Sequence, residues 1–427
     1  MRALAFLVLA IPCIQPLCAE IRTLTLRQAL DLAMMQNPDI LLARLDQQKA
    51  RAGVTLARDP FVPKVYAGSG AAWVTGFPSS IEGSAPSIFQ ARTQMALFNR
   101  PQSFLAAQAS EDARGSGFAL NRRQEETLYR VAALYLDAEQ AARSMETRRR
   151  QAENLARVRE LTAQRVGEGR ELPIETKKAN LAVLRAGQLA DALAIDALNA
   201  ETALAQVLGM APDDRVRAAT EERAPVEVPE SEDASIESAL EQSNELKGLQ
   251  SNIQSKQLEI KSYQAARLPR VNLVAQYQLF AKYAYENYFN TFKRNGTQLG
   301  ASIEVPVLIG RMHSSQQQQA EADIAKLRLE VARTRSRITG DVRRSYQDLR
   351  RTEAMRDVAR ADLDVAREEV TIGMAQMDEG RLPLARVEAL RATENEKWLA
   401  YYDAQHAVDL ARLNVLRDTG TLEARLR

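Results

Sequence analysis

The residues able to do covalent or metal chemistry are few and scattered. His313 and His406 are the only two histidines in 427 residues, and they stand far apart. Both cysteines, Cys13 and Cys18, fall within the first twenty residues. No Cys/His metal set and no Ser-His-Asp or Cys-His relay can be assembled from these positions. Acidic pairs are abundant, but they fall on the charged faces of helical stretches, which is no basis for a glycosidase-like dyad. Gly167-Glu168-Gly169 is a GxG without the preceding strand that a dinucleotide loop needs. Gln316 to Gln319 opens a helical stretch and reads as solvated helix. The pattern predicts no catalytic residue, no bound metal and no cofactor, so the chain is expected not to be an enzyme.

Composition narrows the partners. Lys and Arg number 57 against 55 Asp and Glu, a net charge of +2. No strong field of one sign is available to hold a nucleic acid. Arg2, the apolar run from Ala3 to Ile14 and the Leu17-Cys18-Ala19 sequence read as a secretory signal cleaved before Glu20. That run is too short to span a bilayer, and bulky Leu17 argues against lipidation of Cys18. Beyond residue 19 no apolar stretch approaches the roughly 20 residues of a membrane helix. If the rest spans a membrane, it must use strands.

The chain is written twice. Ala29-Leu30 and Asn37-Pro38 match Ala239-Leu240 and Asn244-Glu245, and Val62-Pro63-Lys64-Val65 matches Leu268-Pro269-Arg270-Val271. Glu168-Gly169-Arg170-Glu171-Leu172-Pro173 matches Glu379-Gly380-Arg381-Leu382-Pro383, with Glu171 as an insertion. All offsets lie near 210 residues, so an internal repeat is expected. The division is a signal over 1–19, a first repeat over 20–208, a second over 234–420 and a tail over 421–427. Between the repeats, 209–233 is rich in Pro, Asp, Glu and Ser and reads as a solvated linker, or alternatively as a small extra wall.

Each repeat needs long helices. Ala179, Val183, Ala186, Ala190, Leu193, Ala197, Ala200, Leu204 and Val207 follow a 4-3 spacing, as do Leu128, Val131, Tyr135, Ala138, Ala142 and Met145. In the second copy Ile324, Leu327, Val331, Thr334 and Ile338 repeat it. Such stripes ask for coiled-coil partners. About 65 residues pass without proline from Pro101 to Val166 and again from Arg311 to Met377, each reaching on the order of 100 Å if helical. A tube needs helices of that length, and so does a solid rod.

Period-two segments lie between the helices. Val271, Leu273, Ala275, Tyr277, Leu279 and Ala281 alternate with Asn272, Val274, Gln276, Gln278, Phe280 and Lys282, and Leu299, Ala301, Ile303, Val305 and Val307 alternate with Gln298, Gly300, Ser302, Glu304 and Pro306. Strand pairs are expected at about 63–98 and 270–307. Tyr283, Tyr285, Tyr288, Phe289 and Phe292 suit a membrane-interface girdle, although a soluble hairpin packed on a helix would also use them. Four strands leave two open edges, which lipid does not tolerate, so copies must pool their strands. Three copies give twelve.

These residues resemble the TolC outer-membrane efflux family. The resemblance rests on Leu26-x-x-Ala29-Leu30 with Asn37-Pro38, the strand entries Pro63-x-Val65 and Pro269-x-Val271, the return Val305-Pro306-Val307-Leu308-Ile309-Gly310 and the two turns at Gly169 and Gly380. It implies a mainly α protomer with a small β part. Three protomers share a 12-stranded β-barrel in the outer membrane and a long periplasmic α-barrel. It also implies an adaptor protein and an inner-membrane pump as partners, in tripartite efflux or type I secretion. Carried over residue by residue, the pattern puts Arg165 and Glu175 at the periplasmic entrance. In the second copy the matching acid is replaced by Arg386, so Arg381, Arg386 and Glu388 become the expected constriction. Gly169, Leu172, Pro173, Gly380, Leu382 and Pro383 become the expected adaptor-docking turns. The alternative reading is a soluble periplasmic coiled-coil adaptor or scaffold.

Overall fold

The computed structural model describes residues 21–70, 87–211, 213–219, 227–229, 231–280, 293–308 and 310–426. The expected signal and the aromatic residues from Tyr283 to Phe292 lie outside the described residues. Two helices, α1 (Leu26–Gln36) and α2 (Pro38–Arg58), lead to strands β2 (Lys64–Gly70) and β3 (Ser87–Phe98). Helix α3 (Arg100–Gly167) and helix α4 (Pro173–Val207) complete the first copy. The second copy runs α5 (Glu232–Gln242), α6 (Asn244–Ala265), β5 (Arg270–Phe280), β6 (Asn295–Glu304), α7 (Met312–Asp378) and α8 (Leu384–Asp418). The duplication extends to element length: α3 and α7 have 68 and 67 residues, and α4 and α8 have 35 each. No helix among the described residues is long and apolar enough to cross a membrane.

The described chain forms two compact units, and α3 and α7 contribute to both. One unit joins residues up to Pro38 with Glu125–Ser235 and everything from Val342 onward. Here the segment expected as a linker holds a strand. β4 (Arg215–Ala218) pairs in parallel with β1 (Ile21–Leu24), Ile21 opposite Arg215 and Leu24 opposite Ala218. Val216 is fully buried beneath this ribbon. Tyr135, 1% exposed, places its hydroxyl 3.1 Å from the Leu24 carbonyl and 3.3 Å from that of Ala219, tying α3 to both strands.

The second copy uses the same device at a spacing of 211 residues. Val131 and Tyr135 correspond to Val342 and Tyr346, and both valines are fully buried. The Tyr346 hydroxyl donates to the Pro229 carbonyl at 2.7 Å and lies 2.8 Å from Ser235 Oγ. Tyr135 belongs to the heptad stripe of α3, but heptad spacing does not single out the repeated Val-x-x-x-Tyr. The Leu24 carbonyl keeps the Ala219 N–H at 2.9 Å, but the Ala219 carbonyl loses the hydroxyl, so Tyr135→Phe is expected to cost about 1 kcal/mol. Urea titration followed by tryptophan emission reads this directly, and an unchanged midpoint would show the hydroxyl to be idle.

The other unit comprises Asp39–Gln124 and Ile236–Asp341. Its helices approach closely through small residues. A Cβ on Gly115 of α3 would stand 3.4 Å from Ser251 Oγ of α6. Ser251 donates to the Glu111 carbonyl at 2.8 Å, and Ser255 donates to Asp112 Oδ1 at 2.5 Å. Lys256 of α6 bridges Glu259 at 2.9 Å and Asp323 of α7 at 3.4 Å. Those carboxylates, Glu259 first, hold its ammonium pKa above the ordinary lysine value. The Tyr263 phenol is likewise raised, by burial first and then by its hydrogen bond to Glu259 at 2.7 Å.

The same unit carries the main sheet, in the order β2-β3-β5-β6 with every neighbour antiparallel. The strand pair expected at about 63–98 is described up to Gly70 and again from Ser87, and β6 ends at Glu304, so Val305-Pro306-Val307 lies beyond the ladder. Pro306 lacks an N–H to donate, which accounts for the stop.

Candidate functional site: the four-stranded sheet and the paired turns

The register sorts the sheet into two faces. Val65, Thr93, Ala275 and Leu299 stand side by side across the four strands. Phe89, Met95, Leu273, Leu279, Ala301 and Ile303 share their face by strand parity. Many of these side chains are open: Leu299 is 77% exposed, Val65 72% and Ile303 69%. The opposite face carries Lys64, Gln90, Arg92, Gln94, Gln276, Gln298 and Ser302. An apolar face of this extent, uncovered and set against a polar one, is what a barrel wall between lipid and water requires.

β2 and β6 have no strand neighbour on their outer sides among the described residues. Four alternating strands make β2 and β6 run in opposite directions. The β6 edge of one copy can therefore pair antiparallel with the β2 edge of another, with both faces kept in phase.

The helices carry uncovered apolar stripes as well. On α4, Leu181, Leu184, Ile195 and Leu198 are exposed at heptad-compatible spacing. On α7, Met355, Val358, Val365 and Ile372 do the same. The α4 stripe lies beside the one identified from the sequence, whose Ala186, Ala197 and Leu204 are buried within the chain. One helix thus presents two seams, one filled and one open.

The turns show how each pair of helices is joined. Gly169 has φ +72° and Gly380 φ +74°, conformations that cost a residue with a Cβ. Gly169 N–H donates to the Val166 carbonyl and Arg170 N–H to that of Arg165, at 3.0 and 2.9 Å. Gly380 and Arg381 bond Met377 and Gln376 in the same way, at 2.9 and 2.8 Å. Both are Schellman caps, which satisfy carbonyls the helix end leaves free. Pro173 is the first residue of α4. Pro383 is instead the N-cap, and α8 begins at Leu384. The second turn lacks a counterpart of Glu171. Starting the helix one residue later keeps four steps from glycine to first helical residue in both copies.

Four of the five charges expected to act together are held by neighbours within a few residues. Arg165 pairs with Glu171 at 3.4 Å, and Glu175 with Lys178 at 2.8 Å. Arg381 pairs with Glu379, and Glu388 with Arg391, both at 3.1 Å. Arg386 is exposed and makes no ion pair among the described residues. The apolar members differ too. Leu172 is 70% exposed, whereas Leu382 is half-buried over α7, where a Cβ on Gly373 would stand 3.7 Å from its methyl. That difference between the copies has no counterpart in the sequence motif, which reads Leu-Pro in both.

Residues 235–421 match the family model "Outer membrane efflux protein". The matched segment corresponds to the second repeat. No curated protein matches the chain. Solved structures extend the likeness across both repeats. A membrane protein from Pseudomonas aeruginosa is 17% identical with a TM-score of 0.74, over 92% of each chain. The Campylobacter jejuni CmeC outer membrane channel is 12% identical with a TM-score of 0.76, over 93% of this chain and 86% of its own. The outer membrane protein VceC from Vibrio cholerae is 14% identical with a TM-score of 0.73, over 92% of this chain and 96% of its own. At such identities the likeness is one of fold, and that fold is mainly helical with a small sheet. The family match and this fold together support an outer-membrane efflux channel rather than an enzyme. The first repeat lies outside the family match and is joined to it by fold alone.

Proposed function

We propose that the chain is one protomer of a homotrimeric channel that sits in the outer membrane with a long periplasmic extension. It exports substrates passively, as the outer component of a tripartite efflux or type I secretion system. The observation that carries this reading is the sheet: a continuous exposed apolar face, a polar reverse, and two unpaired edges of compatible direction. Two copies would supply eight strands, about the size whose interior side chains fill, whereas twelve leave room for a duct. The open stripes on α4 and α7 then meet neighbouring copies and build the tube wall.

At the turns, Gly169, Leu172, Pro173, Gly380, Leu382 and Pro383 form the surface for an adaptor protein, itself coupled to an inner-membrane pump. The exposed Leu172 is the apolar contact this surface offers. Arg165, Glu175, Arg381, Arg386 and Glu388 line the periplasmic entrance. Arg386, held by no acid, is free to meet a group on another copy, and Arg386→Asp is expected to change single-channel conductance and lower drug resistance severalfold. Unaltered conductance together with unaltered resistance would count against an entrance role.

The whole reading is tested on the purified protein in detergent. Light scattering should give the mass of three chains, and planar bilayers should show discrete conductance steps. A water-soluble monomer with residues 270–304 folded onto its own helices would instead mark the periplasmic adaptor or scaffold.

A further inference from the structure

The charges of the sheet do not cancel. Glu304 is the single carboxylate on the four described strands, against three cations, Lys64, Arg92 and Arg270. Arg270 stands directly opposite Glu304 at the end of the ladder, with no ion pair between them, and Lys64 is ion-paired with Asp59. Arg92 has no carboxylate beside it on the described strands. It lies midway along β3 on the polar face, beside Tyr66, Gln276 and Gln298. Its guanidinium lies 5.6 Å from the centre of the Tyr66 ring, a neutral contact that orients the charge without neutralising it. It makes no ion pair among the described residues, and a guanidinium does not shed its proton.

We infer that Arg92 sets the ion selectivity of the β-barrel, forming a ring of fixed positive charge that favours anionic cargo. The inference rests on the three-copy channel reading. With the apolar face in lipid, the polar face lines water, and three-fold symmetry repeats Arg92 at one height. Twelve strands about 4.8 Å apart, tilted about 40°, enclose a barrel of radius roughly 12 Å. Side chains that project inward bring the guanidinium groups within about one Debye length of the axis at 0.1 M salt, near 10 Å. Ions cannot pass that level out of reach of the ring. At 1 M salt the length falls to about 3 Å, and the ring is screened from the axis.

The test is reversal potential across planar bilayers holding the full-length trimer, in a KCl gradient near 0.1 M. Arg92→Gln is expected to lower the chloride-to-potassium permeability ratio about fivefold, Arg92→Glu to lower it further, and Arg92→Lys to leave it unchanged. In 1 M salt the variants should converge. Conducting trimers whose reversal potential is the same in wild type, Arg92→Gln and Arg92→Glu would overturn the assignment while leaving the channel intact. Absence of any conductance from the wild-type trimer would overturn the channel reading, and the assignment with it.

Discussion

Leu299→Arg is expected to stop assembly in the outer membrane, while Gln298→Arg, one residue away, leaves it intact. Leu299 sits mid-sheet on the apolar face beside Ala275. Gln298 stands on the reverse beside Gln276. An arginine on the lipid face near the bilayer midplane costs roughly 2–4 kcal/mol, and a trimer incurs it three times. The total, on the order of 10 kcal/mol, rivals the whole stability of many folded proteins. The same substitution toward a water-filled lumen incurs no such cost. Fractionation of membranes, followed by electrophoresis of unheated samples, reads the trimer in each variant. The pair matters more than either member. Equal loss in both would mean that the sheet has no sidedness, and the barrel wall would fall with it.

Gly209→Ala should be the most damaging of the glycine substitutions outside the sheet. Gly209 has φ +77° and caps α4 with a third Schellman pair, Gly209 to Gln206 at 3.0 Å and Met210 to Ala205 at 3.1 Å. A Cβ there would come 2.7 Å from the Gln36 carbonyl oxygen, a backbone atom that cannot swing aside. Close by, the buried Asn37 donates its side-chain N–H to the Val207 carbonyl at 2.6 Å. Left-handed backbone and a fixed clash together put the cost at about 2–4 kcal/mol. Gly169 supplies the control. It has φ +72° but open space around the missing Cβ, so Gly169→Ala should cost only about 1–2 kcal/mol, from the backbone alone. Thermal melts of the two variants in detergent separate these cases, and equal shifts would remove the crowding argument at Gly209.

Much of the architecture was legible because it is periodic. Alternation of apolar and polar residues on β5 and β6 places each side chain without knowledge of any partner strand. Heptad spacing on α4 likewise marks a seam from one helix alone. The Asn37-Pro38 motif was noticed, but its work was not, because its partner, the Val207 carbonyl, is 170 residues away. The segment 209–233 read as a solvated linker because its composition breaks helices. β4 inside it gains its hydrogen bonds from β1, nearly two hundred residues earlier, and although Arg-Val-Arg-Ala alternates, four residues are too short a run to mark a strand. The tyrosines at 135 and 346 were hidden for a related reason. A hydroxyl serves whichever carbonyls the fold delivers, and helical spacing does not say which those are.

The entrance charges divide in the same way. That Arg386 replaces an expected acid is a fact of sequence. That Arg165, Glu175, Arg381 and Glu388 are each held within a few residues, while Arg386 is not, depends on how side chains reach around a turn. Arg92 is the clearest case. Its identity was always visible, but its position emerges only when the register sets Glu304 opposite Arg270 and leaves the middle of the described sheet without a carboxylate.

Taken alone, then, the order of amino acids determined the doubled plan, the long helices, the four strands and the need for further copies to close their edges. The helices and strands follow from patterns repeated over two to seven neighbouring residues, and the doubled plan from motifs that recur about 210 residues on. Tertiary structure decided which edges stay free, which seams are filled, which turn leucine is exposed and which cation of the sheet stands away from a carboxylate. Those outcomes depend on distances between residues far apart in the chain, and local spacing does not encode such distances.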